Sequence, residues 1–330
     1  MKILFAGTGF KFAANKLIEK IDEINNKIDY NERLELIFQD SSRSLLSQIE
    51  GISVIIPTME KIDESIIKKG SNSKLKLIQQ FGVGLEGIDI DSATKYKIYV
   101  ANAQDSNAIT LAESVFFLML SLSKRSNLIN KAFKKRQLGS PVSTELYNKT
   151  LGIIGLGRSG TEIAKRAIAF GMKVIAIKKT PNPELAHKLK LDFLGTADNL
   201  DYILKNSDFI TLNLPANEET INLIDIKQFE MMEKKPYIIN VARGPIIKKE
   251  ALISALERNL IKGVALDVYW NEPPDPKDDL FTKFDNVITT PHIGGTSVES
   301  VMRMADIVVH NILAISKGKV QSLKNVMNKF

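Results

Sequence analysis

The chain has no cysteine, a single tryptophan and three histidines among 330 residues. Without cysteine there are no disulfides, no thiolate metal sites and no cysteine nucleophile, and the composition fits a cytoplasmic setting. No apolar run approaches the roughly 18 residues that a membrane span needs. The opening segment, 1–10, carries one lysine, and its short apolar run is broken by Gly7 and Gly9, so it reads as a first strand rather than an export signal. Tandem repeats and low-complexity linkers are also missing. The charge balance is basic, 45 Lys and Arg against 38 Asp and Glu, a net +7. The basic residues are dispersed, with only 131–136 (KAFKKR) clustered, and no nucleic-acid module is legible. The surplus therefore points to a solvated surface and an anionic small-molecule substrate or cofactor, with no nucleic acid, membrane or metal partner.

What is present is enough apolar sequence, 44%, for about two cored domains. The chain is organised around 151–160, LGIIGLGRSG. An apolar run meets Gly155, Gly157 and Gly160 at G-x-G-x-x-G spacing. Ile163, Ala164, Ala167 and Ile168 then recur at helical intervals up to Gly171, and a second apolar run, 174–177, follows. Strand, glycine turn, helix and strand make a βαβ unit. Its first glycine permits a tight turn, its second lets backbone approach a pyrophosphate, and its third lets helix and strand pack closely. The helix N-terminus offers N–H groups and a partial positive charge to phosphates. The earlier Gly7-Thr8-Gly9 is a decoy, since the third glycine would fall at Phe12.

The first hundred residues alternate strand-like runs (2–6, 34–38, 53–56, 75–79, 98–100) with helix-like ones (15–27, 62–69), which predicts a parallel sheet covered on both faces. FGVGLEGID, 81–89, ends one such strand, and the N–H groups of Val83 and Gly84 are suited to hold a carboxylate. A helix over 110–124 is apolar over much of its girth, with Phe116 and Phe117 widening the face of Leu111, Val115, Leu118, Met119 and Leu122, so it is expected to be buried, partly against a second copy of the chain. A more basic helix over 127–138 follows. The runs 209–214, 236–241, 263–268 and 287–290 complete a second doubly wound sheet.

Three strand ends there carry polar residues that packing does not need. Arg243 follows INVA, Glu272 lies in DVYWNEP after Asp267, and His292 lies in TPHIGG. An Arg can fork onto a carboxylate and carbonyl. A His can protonate a forming alkoxide or take the hydroxyl proton in reverse. A Glu bonded to that imidazole fixes its tautomer and favours its charged form. His187 and His310 sit in helical or linking contexts and read as structural.

With FGVGLEGID, NAITLAES, GIIGLGRSG, NLP, NVARG, ALDVYWNEPP and TPHIGG in order, the chain resembles the D-isomer-specific 2-hydroxyacid dehydrogenases. The resemblance implies an α/β fold of two doubly wound parallel-sheet domains. A discontinuous flavodoxin-like substrate domain would span 1–101 and 293–330, with 295–330 returning to it through a helix face of Val301, Ala305, Val308 and Ile312. A Rossmann cofactor domain would span 102–292, and the site would lie in the cleft between them. It implies Arg243, Glu272 and His292 as the catalytic set and Val83, Gly84 and Arg243 as substrate binders. At the cofactor it implies Gly155, Gly157, Arg158, Ser159, Gly160, Leu214, Pro215, Ala242, Gly294 and Asp267, the last touching the nicotinamide amide. It also implies a homodimer through 110–124.

The expected activity is reversible oxidoreduction of a small 2-hydroxy or 2-oxo acid of the glyoxylate/hydroxypyruvate kind. A phosphoglycerate dehydrogenase without a regulatory domain is the alternative, and a nucleotide-sensing corepressor-like protein is the alternative of another class. One departure matters. The second strand of the βαβ unit usually ends in an Asp for the adenosine ribose, whereas here Lys178, Lys179 and Thr180 follow Ile177. Cations and a hydroxyl attract a 2′-phosphate, so NADP(H) is expected over NAD(H). Ser114, where many members have His, is expected to alter local packing.

Overall fold

The apolar runs fold as short strands separated by helices, in a computed structural model that describes residues 1–7 and 11–330. β1 (Lys2–Phe5), β2 (Glu35–Phe38), β3 (Val54–Ile56), β4 (Leu77–Gln79) and β5 (Tyr99–Ala101) form a sheet in the order β2-β1-β3-β4-β5. A second sheet holds β6 (Thr150–Ile154), β7 (Lys173–Ile177), β8 (Phe193–Gly195), β9 (Phe209–Leu212), β10 (Tyr237–Asn240), β11 (Gly263–Leu266) and β12 (Val287–Thr289), in the order β12-β11-β10-β9-β6-β7-β8. Neighbouring strands pair in parallel. The first order is flavodoxin-like, and the second is that of a dinucleotide-binding sheet with one strand added. Helices cover both faces, so strands such as β9, β10 and β11 are buried at every residue, which is why they read as continuous apolar runs. The strand order reverses at β6, which places the expected ligand crevice at its carboxyl end.

The chain divides into two compact units, Met1–Asn107 with Ser297–Phe330, and Ala108–Thr296. In the first, the helix Val298–Ser316 starts at Ser297, whose hydroxyl accepts from Ser300 N–H while the Ser300 side chain reaches back. Its Val301, Ala305, Val308 and Ile312 share a core with Leu17 and Ile21 of the helix Lys11–Asn25. Fully burying each larger side chain there contributes roughly 1.5–3 kcal/mol. The boundaries fall a few residues later than the expected 101/102 and 292/293. Asn102 Nδ2 donates to Val83 O at 2.8 Å, Ala103 N–H to Gly82 O at 2.8 Å and Arg303 Nε to Ser106 O at 2.7 Å, which tie 102–106 to the first unit. The N–H groups of Ile293 and Gly294 donate to Asp267, which ties them to the second.

Other differences are local. The first helix begins at Lys11, ahead of the expected 15. Thr8 and Gly9 of the decoy turn lie outside the described residues. β8, only three residues long, has no pattern of its own and exists by pairing with β7. The helix Ala108–Ser123 buries Phe116, stacked on Phe170 with ring centroids 4.9 Å apart, but leaves Phe117 58% exposed, so Phe117 does not widen the buried face as expected. The basic helix is Ser126–Lys134, and Leu138 beyond it is 99% exposed. Among the described residues no helix is long and apolar enough to cross a membrane.

Candidate active site

The glycine turn has the geometry its spacing requires. Gly155 adopts φ +103, and a Cβ there would meet Asn213 O at 2.5 Å. A Cβ at Gly160 would meet Gly155 O at 2.5 Å, whereas one at Gly157 would meet nothing within 4 Å. The space over Gly157 is what a pyrophosphate would occupy. Gly157 caps the helix Arg158–Ala169 without a side-chain acceptor, so the positive end of that helix faces the glycine turn with no capping side chain in the way. At the end of β7, Lys178 and Thr180 line an open surface depression of about 700 Å³ with Pro181, Asn182, Pro183 and Glu184. Lys179 does not line it. Its Nζ lies 3.2 Å from Glu219 Oε2, so only one of the two expected cations faces the depression. These residues fit a dinucleotide.

Three loops at the carboxyl ends of β10, β11 and β12 carry the polar set. Asn240, fully buried, donates through Nδ2 to Arg243 O at 2.9 Å and accepts from Ala242 N–H at 3.1 Å. Arg243 donates to Ala242 O at 2.6 Å. Gly244 packs on the next loop so closely that a Cβ would sit 2.1 Å from the carbonyl carbon of Tyr269. Tyr269 N–H donates to Glu272 Oε1 at 3.1 Å, and the other oxygen, Oε2, lies 2.6 Å from His292 Nδ1. A carboxylate only accepts, so Nδ1 carries the proton and Nε2 is left to exchange one with a ligand. His292 has φ 54, and its N–H donates to Thr290 O at 2.9 Å. Asp267, 1% exposed, organises this backbone. Its Oδ1 accepts from Thr290 Oγ1 at 2.6 Å and Ile293 N–H at 2.9 Å, and its Oδ2 from Gly294 N–H at 2.8 Å. Ser114 Oγ donates to Gly294 O at 2.8 Å and closes the loop from the other side.

The electrostatics match this wiring. The Glu272 hydrogen bond raises the His292 pKa; burial opposes it, the charges of Glu272 and Asp267 add to it, and Arg243 works against it. For Glu272, burial pushes upward, but the hydrogen bond and charge of His292, the Tyr269 N–H and the Arg243 charge together hold the carboxyl below its usual value. The pair is therefore biased to imidazolium and carboxylate. Burial raises the pKa of Asp267 despite its three donors. Burial also pushes the Tyr269 phenol up to about 12, so it stays protonated and donates to Thr290 O at 2.7 Å.

The second unit thus brings together Arg243, Glu272, His292, Asp267, Ala242 and Gly294. Leu214 packs against its core, and Pro215 O accepts from Thr220 Oγ1 at 2.7 Å. Val83 and Gly84 belong to the first unit, in the loop after β4, and among the described residues neither N–H has an acceptor. Among the other histidines, His310 Nε2 meets Ser322 O at 2.8 Å, and His187 lies in the last turn of the short helix Pro183–Lys188. Sequence reasoning missed Tyr269 and Thr290 as organisers. Tyr269 acts on Glu272 through its backbone N–H, which leaves no signature, and on Thr290 O through a phenol 21 residues away in sequence. Thr290 was visible only as a hydroxyl beside the His292 motif.

A family model described as "D-isomer specific 2-hydroxyacid dehydrogenase, NAD binding domain" matches residues 116–294. D-3-phosphoglycerate dehydrogenase of Methanocaldococcus jannaschii is 34% identical over 318 residues, which cover 96% of this chain and 57% of that protein. The chain therefore spans little more than half the length of that relative. Glyoxylate reductase of Thermococcus litoralis is 34% identical over 295 residues, 86% of each chain. The crystal structure of D-lactate dehydrogenase from Aquifex aeolicus, complexed with NAD and lactic acid, superposes with a TM-score of 0.84 at 28% identity, covering 98% of both chains.

Proposed function

The chain belongs to the D-isomer specific 2-hydroxyacid dehydrogenase family, and from that premise we propose that it is a reversible reductase of a small 2-oxo acid of the glyoxylate/hydroxypyruvate kind. The observation that carries this reading is the Glu272–His292 pair at 2.6 Å, with Arg243 near enough for its charge to act on both. The similarity to a glyoxylate reductase over 86% of each chain supports it. The nicotinamide, when bound, supplies or accepts the hydride. Arg243 holds the acid's carboxylate and carbonyl oxygens. His292 Nε2 donates a proton to the carbonyl oxygen as it gains charge, and takes it back in oxidation. Glu272 keeps Nδ1 protonated throughout. Asp267, which we read as the contact to the nicotinamide amide, also sets the backbone that carries His292.

A second reading, phosphoglycerate dehydrogenase, is favoured by the 34% identity to the M. jannaschii enzyme across 96% of this chain. One assay separates them. Oxidation of reduced nicotinamide is followed by absorbance with glyoxylate, hydroxypyruvate, pyruvate and phosphohydroxypyruvate. The highest kcat/KM is expected with an unphosphorylated acid. A preference for phosphohydroxypyruvate would establish the second reading, and no turnover with any acid and either cofactor would point to a sensor.

Glu272 also sets the pH range. Reduction needs His292 protonated, and Glu272 raises its pKa, so Glu272→Gln is expected to move the basic limb of the kcat/KM profile for reduction to lower pH. For oxidation, which needs neutral His292, the acidic limb moves the same way. An unmoved profile would separate Glu272 from His292.

Cofactor preference is read as NADP(H), now resting on Lys178 and Thr180 at the depression. The chain is further read as a homodimer through the helix Ala108–Ser123 and its successor. Phe117, Ile129, Phe133 (83% exposed), Leu138 and Val142 are exposed apolar side chains along 117–142, and we read them as what a second copy would cover. Sedimentation equilibrium is expected to return the mass of two chains, and a single-chain mass would refute the dimer.

A further inference from the structure

Lys179 is not simply a surface lysine beside the adenosine end of the cofactor site; it is paired with a carboxylate. Glu219 reaches it from the loop after β9, and that loop is built to present it. Glu219 N–H donates to Asn217 Oδ1 at 3.0 Å, Asn217 N–H to Thr220 Oγ1 at 2.8 Å, and Thr220 Oγ1 to Pro215 O at 2.7 Å. The turn thus hangs on Pro215, a residue assigned to the cofactor. The Lys179–Glu219 pair is open to water, at 87% and 71% exposure, so it does little for stability. Its effect is on local charge. The carboxylate stands 3.2 Å from the ammonium that would otherwise add to the charge of Lys178.

We propose that Glu219 is a specificity-determining residue that works against a 2′-phosphate, so that the chain uses NADH as well as NADPH and favours NADPH by less than two lysines would dictate. The proposal rests on the reading that 178–180 meets the 2′-phosphate. A phosphate near a freed Lys179 gains attraction and loses a repulsion, and NADH, which lacks that group, gains neither.

The test compares wild type, Glu219→Gln and Lys178→Asp by NADPH and NADH titration at low and high salt, reading the fluorescence of Trp270, the only tryptophan, two residues from Glu272. Glu219→Gln is expected to tighten NADPH by about 3- to 10-fold at low salt, less at high salt, with NADH unchanged. Lys178→Asp is expected to weaken NADPH alone. If Lys178→Asp behaves so while Glu219→Gln changes both cofactors equally or neither, the role of Glu219 is refuted and the reading of 178–180 stands. If Lys178→Asp leaves NADPH unchanged, that reading falls and this proposal falls with it.

Discussion

His292→Ala is expected to lower kcat for 2-oxo acid reduction by roughly a thousandfold, within the range that a positioned acid or base contributes. Cofactor titration of the Trp270 signal should be unchanged, because no contact at the glycine turn involves His292. The loss should be this large because nothing nearby can replace the imidazole. Glu272 loses the hydrogen bond and charge of His292 in this variant, but it lies on the Nδ1 side of the imidazole, with Oε1 bonded to Tyr269 N–H, and so stands a ring's width behind the atom that Nε2 would serve. Tyr269 is committed to Thr290 O and ionises only at about 12. Water would have to supply the proton without fixed geometry. His292→Asn is the companion variant, since asparagine tolerates the left-handed backbone that His292 adopts at φ 54 and so isolates the chemistry from the strain. Near-normal turnover in both variants would remove His292 from the mechanism.

How far the site could be read from sequence depended on whether a residue's role has a local cause. Gly155 and Gly160 were legible because a close approach of backbone forbids a Cβ there, and that restriction recurs at fixed spacing. Arg243, Glu272 and His292 were legible because each follows an apolar strand in a place where packing needs no charge. The partner of Lys179 was not legible, since Glu219 lies 40 residues away and meets it only through the order β9-β6-β7. Nor was the exposure of Phe117. A helical repeat shows that a face is apolar, but it does not show whether the same chain covers that face. The compact units divide a few residues later than the expected boundaries for a similar reason. Residues 102–106 continue past the end of β5, and it is hydrogen bonds to Gly82, Val83, Arg303 and Asn325 that assign them to the first unit.

Arg243→Lys is expected to lower kcat/KM for reduction by about 100-fold or more, as loss of a preorganised charged donor at a developing oxyanion does. The backbone of Arg243 is fixed on both sides, by Asn240 and by the contact of Gly244 with Tyr269, so a lysine would start from the same place. It would keep the charge and lose the planar fork that orients carboxylate and carbonyl together. Charge and orientation can then be separated by pH. Glu272 is the main influence on His292 and raises its pKa, whereas the Arg243 charge lowers it. Arg243→Lys should therefore leave the basic limb of the reduction profile in place. Arg243→Ala should move that limb to higher pH, opposite to the shift from Glu272→Gln, and lose more rate. Added guanidinium should restore part of the alanine variant's activity, because it returns both charge and fork to the vacated space. If lysine matched wild type, charge alone would account for Arg243. If the alanine variant's limb stayed still or moved to lower pH, Arg243 would not share a site with His292.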